Sequence, residues 1–303
     1  MFFKRQRSAL PFLWFYQMKF LVCGGSGFIG KALCSDLIAK KHQVFIYSHS
    51  KNIRVLLKKN TYLKKFFKTD NFQLVNQYND FPDVDVIINL SGESVAQKKL
   101  TEKRMDEILS SRLDTIELLL EQYRLRAPKL FIQASATGIY SEKAICDEKG
   151  QTGSSVYSDV CQKLEEKALS LAKNSTFSYS KICLARIGVV VGKGGGLMQN
   201  LKYVPKVAFI PGNNTIPYIL IDDLVAAFNL IINRKLSGPV NLCSDDYITL
   251  NTLISLCKPH SLLTLPCPRS VLKLDRRGEL LLADQKIEPG ILLKNGFSFT
   301  RIN

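Results

Sequence analysis

The sequence of 303 residues predicts an α/β fold, with helices on both faces of a doubly wound parallel sheet and a small C-terminal lobe. First, a short apolar segment at residues 20–22 runs directly into closely spaced glycines. Second, apolar segments alternate with stretches of helical periodicity up to about residue 190. Third, eight prolines interrupt the remaining residues, which indicates short elements. We therefore divide the chain into residues 1–17, 18–190 and 191–303, with a helix at 221–233 returning to the sheet.

The opening unit is a predicted strand, helix and second strand within residues 19–47. Residues 20–22 suit a strand that is buried on both faces, and Ile29 and Leu33 recur at helical spacing. A second apolar strand follows at residues 44–47. This length is typical of the unit that opens a mononucleotide-binding half.

The glycines between the first strand and the helix predict a dinucleotide site. They satisfy both G-x-x-G-x-x-G and G-x-G-x-x-G, although a turn without a ligand is the alternative. Glycine permits a sharp turn, close approach of backbone to a diphosphate, and tight packing of helix on sheet. The unpaired N–H groups of the helix N-terminus then favour the phosphates. The residues expected to line this site are Gly24, Ser26, Gly27, Phe28, Ile29 and Gly30.

The end of the second strand predicts which dinucleotide is bound. A site for NAD usually has Asp or Glu there, which accepts hydrogen bonds from the ribose hydroxyls. This chain has no acid at that point and offers Ser48, His49, Lys51 and Arg54 instead. We therefore expect this segment to bind the 2′-phosphate of NADP(H). The alternative is that Lys51 and Arg54 lie on a solvated helix face.

Further polar residues follow the later strands of the predicted sheet. The remaining elements of this region are predicted as a strand at 84–90, a helix at 101–124, a strand at 129–134, a helix at 156–172 and a strand at 181–187. Ligands of parallel sheets bind outside the carboxyl ends of the strands. We therefore expect Leu90, Ser91, Gly92 and Glu93 to lie beside the cofactor, and Ser135 to face the same edge.

Composition excludes several classes of protein. The eight cysteines form no C-x-x-C pair, which is typical of a reduced, cytoplasmic protein, and the three histidines are not spaced as metal ligands. We therefore expect no metal. The formal charge is +16, and residues 51–68 carry seven cations and no acid. Because no nucleic-acid-binding motif accompanies them, we interpret this segment as a solvated basic helix that steers an anionic cofactor, rather than as a nucleic-acid surface.

The first 17 residues superficially copy a signal sequence, because basic residues precede the apolar run at 11–16. No small-residue cleavage site follows, and the run is too short to span a bilayer. We therefore expect no transmembrane segment. Either Met18 is the natural start or residues 1–17 form a loosely held extension, with a weak membrane-surface anchor as the alternative.

Five segments together resemble the extended short-chain dehydrogenase/reductases, and more narrowly the YfcH-like branch of the NAD(P)-dependent epimerase family. They are residues 24–30, 89–93, 135–140, 186–192 and 221–224. The narrower resemblance depends on a C-terminal pattern at residues 272–274, 278–282, Gln285, Pro289, 292–293 and 296–299. It implies a Rossmann domain with NADP, a small C-terminal substrate lobe and a poorly defined small-molecule substrate. Related folds often pair through a long helix such as 101–124, which implies a homodimer.

The resemblance also implies catalytic roles for Ser135 and Tyr157. In the superfamily, a serine or threonine after the fifth strand, and a tyrosine four residues before a lysine, carry out the proton transfers. Cys161 stands where that lysine is expected, as is common in this branch. A free tyrosine has a pKa of about 10, so Tyr157 without the cation is a poor base but a competent neutral donor. An ordinary cleft tyrosine is the alternative for Tyr157, and Tyr140 is a rival donor.

Asp222 and Asp223 could be mistaken for a catalytic carboxylate pair. They precede an apolar-periodic helix, so we interpret them as N-capping residues. Related sequences tend to carry a histidine shortly before these acids, and this chain has Tyr218 there.

Two functional hypotheses follow. The leading one is a cytoplasmic NADPH-dependent oxidoreductase of the epimerase type, acting on a carbonyl-bearing small molecule such as a nucleotide sugar. The alternative is a non-catalytic NADPH-binding sensor or assembly factor that has lost the superfamily lysine.

Overall fold

The structure, a computed structural model, describes residues 17–48, 69–76, 81–93, 99–200, 206–258, 264–274, 276–279 and 281–301. The predictions for residues 1–16, for His49, Lys51 and Arg54, and for the basic segment 51–68 lie outside the described residues and stay predictions.

The described residues form fifteen strands and eight α-helices. The strands are β1 (Lys19–Cys23), β2 (Gln43–Tyr47), β3 (Phe72–Val75), β4 (Val86–Asn89), β5 (Leu130–Ala136), β6 (Ile145–Cys146), β7 (Lys181–Ile187), β8 (Val189–Val191), β9 (Lys206–Ile210), β10 (Thr215–Ile216), β11 (Tyr218–Leu220), β12 (Gly238–Leu242), β13 (Ile248–Thr249), β14 (Thr264–Pro268) and β15 (Lys286–Ile287). The helices are α1 (Phe28–Ala39), α2 (Glu102–Gln122), α3 (Val156–Ser170), α4 (Gly196–Asn200), α5 (Ile221–Arg234), α6 (Leu250–Cys257), α7 (Arg276–Glu279) and α8 (Gly290–Lys294).

The central sheet has seven parallel strands in the order β12, β7, β5, β4, β1, β2, β3. The chain runs outwards from β1 to β3 and then returns to form β4 on the other side of β1. This reversal leaves a crevice at the carboxyl ends of β1 and β4, where doubly wound sheets bind their ligands. The register pairs Cys23 with Asn89, so the segments that follow these two strands begin side by side. The predicted fold class is confirmed.

Alternate residues of each central strand face opposite layers of helices. In β1, Phe20 and Val22 belong to the core under α1, α5 and α8, whereas Leu21 and Cys23 belong to the core under α2 and α3. All four are fully buried. Burial on both faces explains why residues 20–23 are all apolar instead of alternating with polar residues.

The C-terminal region contributes both to this sheet and to a smaller lobe. Strand β12 pairs with β7 at the edge of the sheet. The short pairs β9 with β14 and β10 with β13 lie outside it. Together with α6 they surround a separate core that includes Phe209, Ile216, Tyr218, Leu250 and Leu253.

Some boundaries differ from those that the sequence predicts. The helices predicted at 101–124 and 156–172 are present as α2 and α3, and the strand predicted at 84–90 is shortened to β4. Strand β3 is not predicted, because it has only four residues and one of them, Gln73, is exposed. Within the described ranges, no helix has both the length and the apolar character needed to cross a membrane.

Candidate nucleotide and substrate site

The glycine loop between β1 and α1 brings the backbone close to that of the neighbouring strand end. Gly24 has φ +78°, and a Cβ on it would lie 2.5 Å from the carbonyl oxygen of Leu90. A Cβ on Gly30 would lie only 2.3 Å from the carbonyl oxygen of Gly24. Inside the loop, the Gly27 N–H donates to the Gly24 carbonyl at 3.0 Å. Side chains are therefore excluded at positions 24 and 30 by backbone contact, as the glycine spacing predicts.

The N-terminus of α1 is open to an anionic ligand. Gly27 is its N-cap and provides no capping side chain, and the first turn contains no acid. The leading N–H groups of the helix, including those of Phe28 and Ile29, therefore point out of the helix without a capping side chain. This arrangement fits a diphosphate, because the cradle is built of backbone donors and glycines.

The ring of Phe28 has a packing role in addition to its place in the loop. A Cβ on Gly195 would lie 2.3 Å from this ring, so the glycine-rich turn at 192–196 packs directly onto it. What Phe28 offers a phosphate is therefore its backbone N–H.

The segment after β4 is fixed beside the glycine loop by buried polar contacts. The Leu90 N–H donates to the Cys23 carbonyl at 3.0 Å. The Asn89 side chain is fully buried, and its Oδ1 accepts from the N–H of Ser91 at 3.1 Å and from its hydroxyl at 2.5 Å. Its Nδ2 donates to Oε1 of Gln133 at 2.9 Å. Leu90 and Ser91 thus lie beside the glycine loop, and their contact with a cofactor stays a prediction.

Gly92 and Glu93 continue this segment towards α2. Gly92 has φ +142°, a conformation that favours glycine. The Glu93 carboxylate pairs with Nη2 of Arg104 at 2.6 Å. The backbone N–H of Glu93 donates to the hydroxyl of Ser111 at 3.2 Å. The Glu93 side chain is therefore held by α2.

Ser48 follows β2 at the same edge of the sheet. Its N–H donates to the Val75 carbonyl at 2.9 Å, and the residue is half-buried. The other residues predicted to bind a 2′-phosphate, His49 and Lys51, lie outside the described residues.

Ser135 lies at the carboxyl end of β5, and its hydroxyl already makes a hydrogen bond within the protein. It donates to Oε1 of Glu165 at 2.7 Å. Glu165 in turn accepts two hydrogen bonds from Arg186, from Nε to Oε1 at 2.9 Å and from Nη2 to Oε2 at 2.8 Å. Burial disfavours the charged form of Arg186. The hydrogen bonds to Glu165 and the charge of that carboxylate outweigh burial and raise the pKa of Arg186. The result is a buried ion pair directly behind Ser135.

Tyr140, the rival donor, is part of the same buried network. Its hydroxyl accepts from Nη1 of Arg186 at 2.8 Å and donates to Oδ1 of Asn241 at 2.7 Å. Burial raises the pKa of Tyr140 to about 12, although Arg186 and Asn241 oppose that rise. The side chain is 2% exposed. Tyr140 therefore serves the core and does not reach a ligand.

Tyr157 lies at the start of α3 and packs against residues of α2, including Met105 and Ile108. Its hydroxyl donates to the backbone carbonyl of Arg276 in the C-terminal lobe. The first turn of α3 is thus tied to the lobe through the same hydroxyl that the resemblance assigns to proton transfer.

Cys161 occupies the position of the missing lysine as a neutral thiol. Burial, and then the charge of Glu165, raise the pKa of Cys161 to about 11, although its hydrogen bonds with Ala136 and Ser135 act in the opposite direction. Lys163 pairs with Asp159 at 2.8 Å on the exposed side of α3, so it does not replace that lysine.

The predicted N-capping role of Asp222 and Asp223 is wrong. The N-cap of α5 is Leu220, and both acids lie in the first turn, where the helix dipole favours them. The Asp223 carboxylate instead accepts from the N–H of Thr300 at 3.0 Å and from its hydroxyl at 2.7 Å. It fastens the C-terminal segment to α5.

Sequence reasoning missed the residues that support the site, chiefly Glu165 and Arg186. Both residues lie on elements that the sequence predicts, and their positions on those elements place them near Ser135. Glu165 lies eight residues after Tyr157 on α3, and Arg186 is opposite Ser135 in the register of β5 and β7.

The strand order and the glycine loop define an α/β protein built to bind a dinucleotide. The chain belongs to the NAD dependent epimerase/dehydratase family, whose sequence profile matches residues 20–243. This membership confirms the family that the motifs predict and supports a nicotinamide dinucleotide as the cofactor.

Curated relatives are similar over nearly the whole chain. Epimerase family protein YfhF of Bacillus subtilis is 27% identical over 301 residues, which cover 93% of this chain and 94% of that protein. The chloroplastic epimerase family protein SDR39U1 homolog of Arabidopsis thaliana is 26% identical and covers 93% of this chain and 83% of that protein.

Solved structures share the fold. The crystal structure of human epimerase family protein SDR39U1 (isoform2) with NADPH has a TM-score of 0.75 at 23% identity, covering 93% of this chain and 95% of that one. UDP-glucuronic acid 4-epimerase from Bacillus cereus, in complex with UDP-glucuronic acid and NAD, has a TM-score of 0.72 at 18% identity, with coverages of 94% and 95%.

Proposed function

We propose that this protein is an NADPH-dependent, epimerase-like oxidoreductase that acts on a carbonyl-bearing small molecule, with nucleotide sugars as the first substrate class to test. The observation that carries the proposal is the glycine loop, where Gly24 and Gly30 pack backbone on backbone beneath the open N-terminus of α1. Relatives that bear the name epimerase, and a similar fold solved with UDP-glucuronic acid and NAD, support the substrate class.

The preference for NADPH depends on the segment after β2. Ser48 and the cations that follow it stand where an NAD site would carry an acid, and the human protein of similar fold was solved with NADPH. We expect NADPH to bind at least about tenfold more tightly than NADH, because a 2′-phosphate gains charge-assisted hydrogen bonds there. Isothermal titration of both cofactors measures the ratio.

Two variants sharpen this measurement. Lys51→Ala should remove most of the preference, whereas Lys40→Ala, which removes an exposed cation paired with Asp36 at the end of α1, should not. Equal or reversed affinities of the unaltered protein for the two cofactors would contradict the preference.

The chain's own residues suit reduction better than oxidation. A bound nicotinamide supplies hydride chemistry, and Ser135 and Tyr157 would supply a hydrogen bond and a proton at the carbonyl oxygen. Tyr157 can donate as a neutral phenol, but Cys161 gives it no cation to stabilise a phenolate. Both hydroxyls must first turn from their present acceptors, the Glu165 carboxylate and the Arg276 carbonyl.

Those two hydrogen bonds favour a second candidate function. A protein that binds NADPH without turning it over has no need of free hydroxyls, and here both are satisfied internally. A sensor or assembly factor that retained the nucleotide site fits this arrangement.

Turnover separates the two candidates. We expect consumption of NADPH with at least one member of a panel of aldehydes, ketones and keto-sugars, followed by the absorbance of the reduced nicotinamide. Tyr157→Phe should lower that rate by on the order of a hundredfold, the usual contribution of a positioned acid. Tyr179→Phe is the matched control, because Tyr179 is 92% exposed. Tight NADPH binding with no turnover across the panel would favour the non-catalytic function.

A further inference from the structure

A cation on α2 lies at the edge of the nucleotide site and has no role in the description so far. Arg112 is in the middle of this helix, and its guanidinium lies directly against Gly92. A Cβ on Gly92 would lie 2.5 Å from Cζ of Arg112 and 2.7 Å from its Nη1. The guanidinium therefore occupies the space that a side chain at position 92 would need. Gly92 belongs to the segment that we expect to flank the ribose.

Among the described residues, only Nη1 of the Arg112 guanidinium makes hydrogen bonds. Nη1 donates to the Ile108 carbonyl at 2.8 Å and to the Glu93 carbonyl at 3.2 Å. Within the described ranges, Nε and Nη2 of Arg112 have no acceptor, and neither is among the fully buried polar atoms that lack a partner. A half-buried arginine thus presents three N–H groups that a ligand with oxygen acceptors would satisfy.

Arg112 also lies on the helix that packs against α3, where Cys161 replaces the superfamily lysine. Helices α2 and α3 pack against each other, with Cys161 on the buried side of α3. The charge of Arg112 lowers the pKa of the Cys161 thiol, against the larger effect of burial, and burial lowers the pKa of Arg112 itself. An arginine keeps its proton at neutral pH even so. Positive charge therefore reaches the space beside Cys161 from the neighbouring helix.

We propose that the Arg112 guanidinium, on α2, binds the nicotinamide-side ribose and its phosphate through Nε and Nη2, in a chain where Cys161 replaces the superfamily lysine on α3. This inference rests on the proposed function, since it concerns the same nucleotide. Arg112 holds the cofactor in place and does not transfer a proton, because its guanidinium remains charged.

The test compares two ligands that differ in the half of the dinucleotide they contain. We expect Arg112→Gln to weaken NADPH binding by about tenfold or more, which is the loss of a hydrogen bond to a charged group. Adenosine 2′,5′-bisphosphate lacks the nicotinamide half, so its affinity should change less than about twofold. Arg112→Lys should recover part of the loss, because a point charge remains without the planar fork. Isothermal titration gives all of these constants.

Arg104→Gln is the matched control. Arg104 also lies on α2 and holds Glu93, but through the side chain of Glu93. If Arg112 served only to hold the segment at 92–93, both variants would weaken NADPH alike, and the inference would be wrong. It would also be wrong if Arg112→Gln left NADPH binding unchanged or weakened both ligands equally. Failure of the unaltered protein to bind NADPH would instead contradict the proposed function.

Discussion

Alanine in place of Gly30 is expected to abolish dinucleotide binding and to lower the free energy of unfolding by about 3 kcal/mol. The added Cβ would lie 2.3 Å from the Gly24 carbonyl oxygen and 2.6 Å from the Gly25 Cα. Both are backbone atoms, so α1 must move away from the loop as a whole. Urea unfolding measures the loss of stability, and titration with NADPH measures the loss of the site.

Variants of two other glycines distinguish an effect on folding from an effect on ligand binding. Gly27→Ala should largely keep the fold, since its Cβ would meet only the Gly24 carbonyl oxygen at 3.2 Å. It should still weaken NADPH binding, because the added methyl group would crowd the proposed diphosphate site. Gly194→Ala controls for backbone strain, because Gly194 has φ +89° and its Cβ would meet nothing within 4 Å. It should cost about 1–2 kcal/mol and leave NADPH binding intact. Normal NADPH binding by Gly30→Ala would show that the diphosphate does not rest on this loop.

Removal of Glu165 is the second change with a large expected effect. Glu165→Leu should lower the free energy of unfolding by about 3–5 kcal/mol, because it leaves the charge of Arg186 buried without a partner. Arg186 and Glu165 are 7% and 5% exposed, so water cannot replace the lost bonds without opening the core. The double variant Glu165→Leu with Arg186→Met should recover much of the loss, since no unpaired charge remains. Chemical denaturation of the single and double variants gives the coupling energy.

The same helix supplies the control for this cycle. Asp159 and Lys163 form an exposed pair on α3, with 55% and 52% of their side chains exposed, and breaking it should change stability by less than about 1 kcal/mol. If the losses from Glu165→Leu and Arg186→Met simply add, the two side chains are not energetically coupled and the pair does not hold Ser135 as described.

The elements nearest the glycine loop were predictable because their physical causes are local. Because strands buried on both faces are mainly apolar, β1 and β7 are visible in the sequence as the apolar runs at 20–23 and 182–185. The amphipathic pattern of α2 likewise survives in the structure as Glu102–Gln122. Short β3 lacks such a signal, since four residues do not establish a period.

The candidate site was predictable only where the backbone geometry requires a particular residue type. Glycines 24 and 30 are required by close contact, and that requirement is legible in the sequence. The hydrogen-bond partners of Ser135 and Tyr157 cannot be predicted from the sequence. Glu165 is 30 residues from Ser135, and Arg276 is 119 residues from Tyr157. The proposed role of Arg112 is not visible in the sequence for a related reason, because the contact of its guanidinium with Gly92 depends on the relative positions of α2 and the segment after β4.

The anchoring of the C-terminal segment has a consequence for how the chain is made. Leu292 and Phe299 belong to the same core as Phe20 and Val22, and Asp223 holds Thr300 in place. During synthesis, the layer over the first strand therefore stays incomplete until residue 299 has left the ribosome. Until then, a nascent chain leaves part of the apolar surface of that core uncovered.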